Sequence, residues 1–186
     1  MKAEDFIANF PDGLPVPPLF VKLAMYQARP NSGFLPGRLE LTRTGRRDAI
    51  AWFSKDEGTA RPFIVFAHDK SYSLFGYWRD QDQSLDQAPL VFLHDEGVES
   101  TVLTNTLEEF LALLALGNPA HTIDMVEGED EPEDDEYAQR YRAWLRAETD
   151  IAVPTIAEAH AIVERARASH PDLLQWIDQW ADARTA

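Results

Sequence analysis

The order of predicted elements indicates an α+β fold, in which an antiparallel sheet is flanked by helices and followed by a C-terminal helical extension. Three observations support this prediction. Short apolar runs separated by turn residues occupy residues 39–103, as expected for consecutive strands. Apolar residues at helical spacing follow from residue 106 onward. Between the first of these helices and the last ones, segment 127–136 holds eight carboxylates in ten residues.

The N-terminal half predicts two short helices and then strands. Helices are expected at 2–9 and 19–26, separated by a proline-rich stretch that excludes regular helix. Alternation of Leu39 and Leu41 with polar residues predicts a half-buried strand, and 49–53 is a second strand candidate. The unbroken apolar run 63–67 predicts a strand buried on both faces.

An aromatic strand is expected at 72–78, followed by an acidic, glutamine-rich loop. Because side chains alternate along a strand, Phe75 and Tyr77 should share one face, and Tyr72, Leu74 and Trp78 should share the other. One face should be core. The other is either an exposed aromatic surface or is covered by the C-terminal helices.

The stretch 89–117 predicts a hairpin that leads into a helix. A strand at 90–93 ends in the turn His-Asp-Glu-Gly, and a second strand follows at 100–103. Thr106 and Glu109 have the spacing of a capping box, so a helix should begin there. Its buried face is predicted to contain Leu107, Phe110, Leu111 and Leu114.

This stretch resembles the C-terminal part of the SMI1/KNR4 family in the SUKH superfamily. The similarity lies in the strand with an acidic, glycine-containing turn, the second strand and the Thr-Leu-Glu-Glu-Phe-Leu helix start. The order of the earlier strands is similar too, although Asp-Lys-Ser stands at 69–71 where family members often have an Asp-Gly turn. The resemblance implies an SMI1/KNR4-like domain at 1–118.

Beyond residue 118 the resemblance ends, and we expect an acidic linker or loop at 119–136 and a helical extension at 137–186. The acidic run should be solvated, so that deletion of 129–135 would leave the fold intact. Three helices should follow, near 134–148, from a capping box at Thr155, and from Pro171. They form either a separate helical domain or a cover on the sheet.

Composition limits the classes of function. The chain has 186 residues, no cysteine and a net charge of −15, which argues against binding to nucleic-acid backbones or anionic membranes. No apolar segment is long enough for a signal sequence or a membrane span, so a soluble cytoplasmic protein is expected. The pattern indicates no cofactor, metal or nucleotide site. It does not determine the oligomeric state.

The resemblance implies a non-enzymatic bacterial immunity protein that binds and neutralises a cognate toxin. The acidic balance favours a basic toxin domain as the partner. Two alternatives are a regulatory interaction protein of the SMI1/KNR4 type and an uncharacterised hydrolase that uses Asp69, Asp95 or Glu96. The candidate partner-binding surface consists of acidic and aromatic residues in or next to the predicted turns: Asp69, Tyr72, Tyr77, Trp78, Asp80, Asp82, Asp95 and Glu96.

Overall fold

The computed structural model describes residues 2–30, 32–79, 83–96, 100–126 and 128–185. Its centre is a five-stranded sheet in which the strands lie in chain order and each neighbouring pair is antiparallel. The predicted α+β class is confirmed. The strands are β1 Glu40–Leu41, β2 Phe63–His68, β3 Leu74–Trp78, β4 Leu90–Leu93 and β5 Thr101–Thr104.

Helices precede, interrupt and follow the sheet. In the described part of the chain, those before β5 are α1 Ala3–Ile7, α2 Pro18–Gln27, α3 Gly45–Trp52 and α4 Glu57–Ala60. Those after it are α5 Leu107–Leu114, α6 Glu136–Glu148, α7 Ile156–Ser169 and α8 Asp172–Thr185. Short 3-10 turns lie at Pro36–Arg38 and His121–Asp124. No helix among the described residues has the length and apolarity needed to cross a membrane.

The strand predicted at 49–53 is wrong, because this segment belongs to helix α3. Asp48 accepts hydrogen bonds from the hydroxyls of Thr42, at 2.8 Å, and Thr44, at 3.1 Å, which favours a helical first turn. Gly45 lies against β2 so closely that a Cβ there would overlap the carbonyl oxygen of Val65. Ala49 and Phe53 then fall on one buried face at i,i+4 spacing.

One face of the sheet packs against the N-terminal helices, α5 and α6. Phe66, Phe75 and Tyr77 on this face belong to one buried cluster with side chains of those helices. Tyr141 of α6 is fully buried in the cluster, and its hydroxyl donates to the carbonyl oxygen of Leu111 at 3.0 Å. Helix α6 therefore contributes to the main core of the sheet.

The opposite face of the sheet packs against α3 and α8. Leu74 and Val91 cluster with Phe53, the C-cap of α3, and with Ile177 of α8. Half-buried Trp176 stands edge-on to Phe53, with ring centroids 5.7 Å apart. Helix α7 packs against α5 through a third cluster formed by Leu113, Leu116, Ala159 and Val163. Helices α6 and α8 thus pack on opposite faces of the sheet, and α7 packs against α5.

The hairpin and helix of 89–117 form as predicted. The Thr106 hydroxyl accepts from the amide of Glu109 at 3.2 Å, so Thr106 caps helix α5. The Glu109 carboxylate, however, accepts from the amide of Asn105 at 3.0 Å rather than from that of Thr106. Its other oxygen is 2.7 Å from the guanidinium of Arg165 in α7, which adds a tertiary contact to a local cap.

The acidic segment is only partly solvated. Glu129, Asp130 and Glu131 are exposed, as predicted. Glu133, in contrast, donates its amide to Leu116 at 2.7 Å and accepts from the amide of Gly37 at 2.6 Å through Oε2. Asp135 caps α6 by accepting from the amides of Tyr137 and Ala138, both at 2.9 Å. The expectation of a solvated run is therefore wrong for Glu133 and Asp135, whereas Asp134 is exposed.

Candidate functional site

The turns predicted to carry site residues lie together at one edge of the sheet. His68 ends β2, and Asp69 begins the turn into β3. His94 and Asp95 follow β4 in the same way, and the pairing of Leu74 with Leu93 places both turns side by side. The Ser73 hydroxyl and Asp95 join them through hydrogen bonds of 3.1 and 3.2 Å.

The predicted aromatic surface is not present on β3. The alternation of its side chains is as expected, but both faces of the strand are covered. Tyr77 is only 1% exposed in the main core, so it cannot contact a partner. Trp78 is half-buried and packs against the second face of the sheet. Asp80 and Asp82 lie outside the described residues.

Tyr72 is the aromatic residue of the predicted set that is exposed. Its exposed fraction is 73%, and its ring stacks on that of His68 with 5.6 Å between the centroids. Its backbone φ of +66° lies in the left-handed region, which costs free energy for a bulky residue. The short β2–β3 turn thus holds a large apolar ring in solvent.

A cleft of 530 Å³ opens beside this turn. Its walls come from four segments that are far apart in sequence: 37–38, 69–71, 116–118 and 130–133. His121 and Met125 complete the lining. Four carboxylates and two basic side chains line the cleft, so negative charge exceeds positive charge.

Asp69 lies at the base of the cleft and is only 6% exposed. Its Oδ1 accepts from the amides of Ser71, at 2.9 Å, and Ser73, at 3.1 Å, and from the Ser71 hydroxyl at 2.8 Å. Its Oδ2 is 3.5 Å from Nδ2 of Asn118, at the outer limit of a hydrogen bond. One carboxylate oxygen is therefore well satisfied, and the other retains most of its capacity to accept.

Close contacts between backbone segments keep the walls of the cleft in place. Gly37 has φ +65°, and a Cβ there would overlap the backbone of Asn118, so glycine is required for the contact. Asn118 accepts from the amide of Ala120 at 3.0 Å, which orients its amide group towards Asp69. Glu133 bridges Gly37 and Leu116, as described above. The carboxylates of Asp69 and Glu133 are thus held in place by hydrogen bonds.

The nearest approach to a hydrolytic arrangement is Ser73, Asp95 and His94. Asp95 stands between the other two, with Oδ1 3.2 Å from the Ser73 hydroxyl and 3.3 Å from Nδ1 of His94. A catalytic triad needs histidine between serine and the carboxylate, so that the imidazole can remove the hydroxyl proton. Ser73 is also only 1% exposed. This geometry does not activate a nucleophile.

Clusters of metal ligands and shifted pKa values are two further signs by which a functional site can be recognised. Within the described ranges, no three His, Asp or Glu side chains are close enough to hold a metal ion. The strongest pKa changes belong to core tyrosines: burial raises the pKa of Tyr77 and that of Tyr141 well above 10. Burial also lowers the pKa of His170, which lies between α7 and α8. None of these three groups lines the cleft.

Sequence reasoning found Asp69 and Tyr72 but missed Gly37, Asn118 and Glu133. Pro-Gly at 36–37 predicts a turn, and Asn-Pro at 118–119 predicts a stop to the preceding helix. Nothing in either motif indicates that the two segments meet. Comparison of the chain with protein-family models, with curated proteins and with solved structures gives no match.

Proposed function

We propose that this protein is a non-enzymatic binding module that neutralises a basic toxin domain, in the manner of a bacterial immunity protein. The observation that carries the proposal is the acid-lined cleft beside exposed Tyr72. The cleft attracts a basic surface electrostatically, and Tyr72 offers an aromatic ring of the kind that is enriched in protein interfaces.

The overall charge supports the same partner class. A net charge of −15 gives long-range attraction to a basic protein and raises the rate of encounter. The exposed carboxylates of Glu129, Asp130 and Glu131 extend this charge outward from the cleft. Neutralisation then requires only occlusion of the toxin surface, with no chemical step by this chain.

The resemblance of 89–117 to SMI1/KNR4 proteins is further support, because several members of that superfamily act as immunity proteins. In this fold the segment is a scaffold: its helix α5 is buried, and the end of that helix positions residues 116–118 at the cleft. The hypothesis of family membership therefore concerns this scaffold, whereas the proposed binding function resides in surfaces that the scaffold positions.

The test is co-expression with the basic toxin domain encoded nearest to the gene for this protein. We expect restored growth and a stoichiometric complex of the purified proteins, with an affinity that falls as salt concentration rises. A neutral-surface protein of similar size serves as the control ligand. Undiminished toxicity together with no measurable complex would contradict the proposal.

A further inference from the structure

The cleft has the charge of a site for a cationic group. Its carboxylates are Asp69, Asp130, Glu131 and Glu133, and its basic side chains are Arg38 and Lys70. The negative charges therefore exceed the positive ones by two. Because a tightly bound divalent ion also needs several converging ligands, and the described residues offer no such group, the cleft fits an organic cation better than a metal ion.

Asp69 provides a buried acceptor at the base of this cleft. A carboxylate that is 6% exposed has lost most of its water, yet Oδ2 has only the 3.5 Å contact with Asn118 in return. A buried charged oxygen with a weak partner is costly unless a donor reaches it. A cationic group that enters the cleft would supply a charge-assisted hydrogen bond at this atom.

The shape and lining favour arginine over lysine. A volume of 530 Å³ accommodates a long side chain, and half-buried Met125 offers apolar contact for its methylene groups. A guanidinium carries five donors and loses its hydration more easily than an ammonium group. It can therefore donate to Asp69 Oδ2 and still has donors left for a second carboxylate of the cleft lining.

We infer that the cleft receives one arginine side chain of the protein partner, with its guanidinium against Asp69 Oδ2 and its stem beside Met125. Tyr72, next to the cleft-lining Ser71, supplies an aromatic surface for the residues that flank the arginine. This inference rests on the proposed function, because it specifies which chemical group of a basic partner the protein recognises.

The test uses the full-length protein and N-acetyl-arginine amide as the probe. Backbone amide shifts are followed by NMR during titration into the millimolar range, where a single side chain is expected to bind. N-acetyl-citrulline amide is the neutral control of the same shape, and N-acetyl-lysine amide is the control for the type of cation. We expect saturable shifts at Ser71, Ser73, Gly117 and Asn118 with the arginine probe, and weaker binding of both controls.

Two variants and one matched control locate the binding. Asp69→Asn retains an oxygen for the Ser71 and Ser73 amides but loses the charge, and should weaken binding about tenfold. Glu131→Gln, at an exposed wall position, should weaken it roughly two- to fivefold. Asp178→Asn makes the same charge change on the exposed side of α8 and should leave the affinity unchanged. If Asp69→Asn does not fold, Glu131→Gln still tests the inference.

The outcomes separate this inference from the proposed function. Equal shifts with citrulline, tighter binding of the lysine probe, or equal affinities of Asp178→Asn and both cleft variants would overturn the arginine site. A toxin complex whose affinity is unchanged by Asp69→Asn and by Glu131→Gln would also overturn it while leaving the immunity function intact. Arginine binding at the cleft amides without any toxin complex would support the site and contradict the immunity function.

Discussion

The chain places the same dipeptide, His-Asp, at two neighbouring turns, and the two aspartates have different surroundings. Asp69 is buried at the base of a cleft, whereas Asp95 is exposed and bonds to Ser73 and His94. The turns are adjacent on one sheet edge, so neither sequence nor strand geometry explains the difference. What differs is the cover: residues 116–118 and 130–133 enclose Asp69. Tertiary cover, rather than local sequence, makes one carboxylate a candidate ligand-binding group.

The largest expected effect comes from removal of that cover. Deletion of 129–135 removes the Glu133 bridge, the Asp135 cap of α6 and the Arg142 contacts to Glu133 and Asp134. We expect a loss of about 3–5 kcal/mol in unfolding free energy, or roughly 10 °C in melting temperature. Thermal unfolding checks this.

The matched control for the deletion is Glu129→Gln with Glu131→Gln, which changes only exposed side chains of the same segment. It should alter the melting temperature by about 1–2 °C at most. A deletion as mild as this control would show that 133–135 is solvated after all, and that the cover of Asp69 is not held by these bonds.

The second prediction compares the two aspartates directly. Asp69→Ala leaves two turn amides and the Ser71 hydroxyl without their acceptor, so it should cost about 2–4 kcal/mol. Asp95→Ala removes partly exposed bonds and should cost about 0.5–1.5 kcal/mol. Denaturant unfolding of both variants measures the difference between the two losses of unfolding free energy. Equal costs would mean that the burial of Asp69 has no energetic consequence.

The third prediction tests the close contact between Gly37 and Asn118 at the wall of the cleft. Gly37→Ala introduces a Cβ into the backbone of Asn118 at a φ of +65°, and should cost about 1–3 kcal/mol. Gly13→Ala is the control, because its φ is also positive, at +80°, but no atom lies within 4 Å of the added Cβ. If both variants lose the same stability, the close approach to Asn118 is not what requires glycine at 37.

The smallest effect at neutral pH is expected for Tyr141→Phe in α6, the helix that begins at the end of the acidic segment. Loss of the bond to Leu111 should cost about 0.5–1.5 kcal/mol. Burial raises the pKa of Tyr141, so its contribution is complete below the unfolded pKa of about 10 and is lost as pH rises further.

Unfolding free energies measured at neutral and alkaline pH test this predicted loss of stability with rising pH. The wild-type protein should lose stability above about pH 10, and Tyr141→Phe should lose less over the same interval. Tyr26 and Tyr77, whose pKa values are also raised by burial, should account for the remaining loss. Identical pH profiles of variant and wild type would show that Tyr141 is not protected from ionisation in the folded state.

Sequence patterns predicted most of the framework. Capping at Thr106 and Thr155, the two-sided burial of β2 and the hairpin of β4 and β5 depend on bonds and side-chain periodicity within a few residues of one another. The failure at 49–53 has a tertiary cause as well as a local one. The sequence does not show that Gly45 lies against the β2 backbone, where a Cβ would overlap the carbonyl oxygen of Val65.

By itself, the sequence determined the α+β class, the alternation of faces on β3 and the acidic net charge. Tertiary structure alone decided that both faces of β3 are covered, that 133–135 is anchored and that Asp69 becomes the base of a cleft. The physical reason is the distance along the chain over which each effect acts. Propensity, capping and periodicity act within a few residues, whereas the cleft is formed by four segments between positions 37 and 133 whose meeting no local pattern specifies.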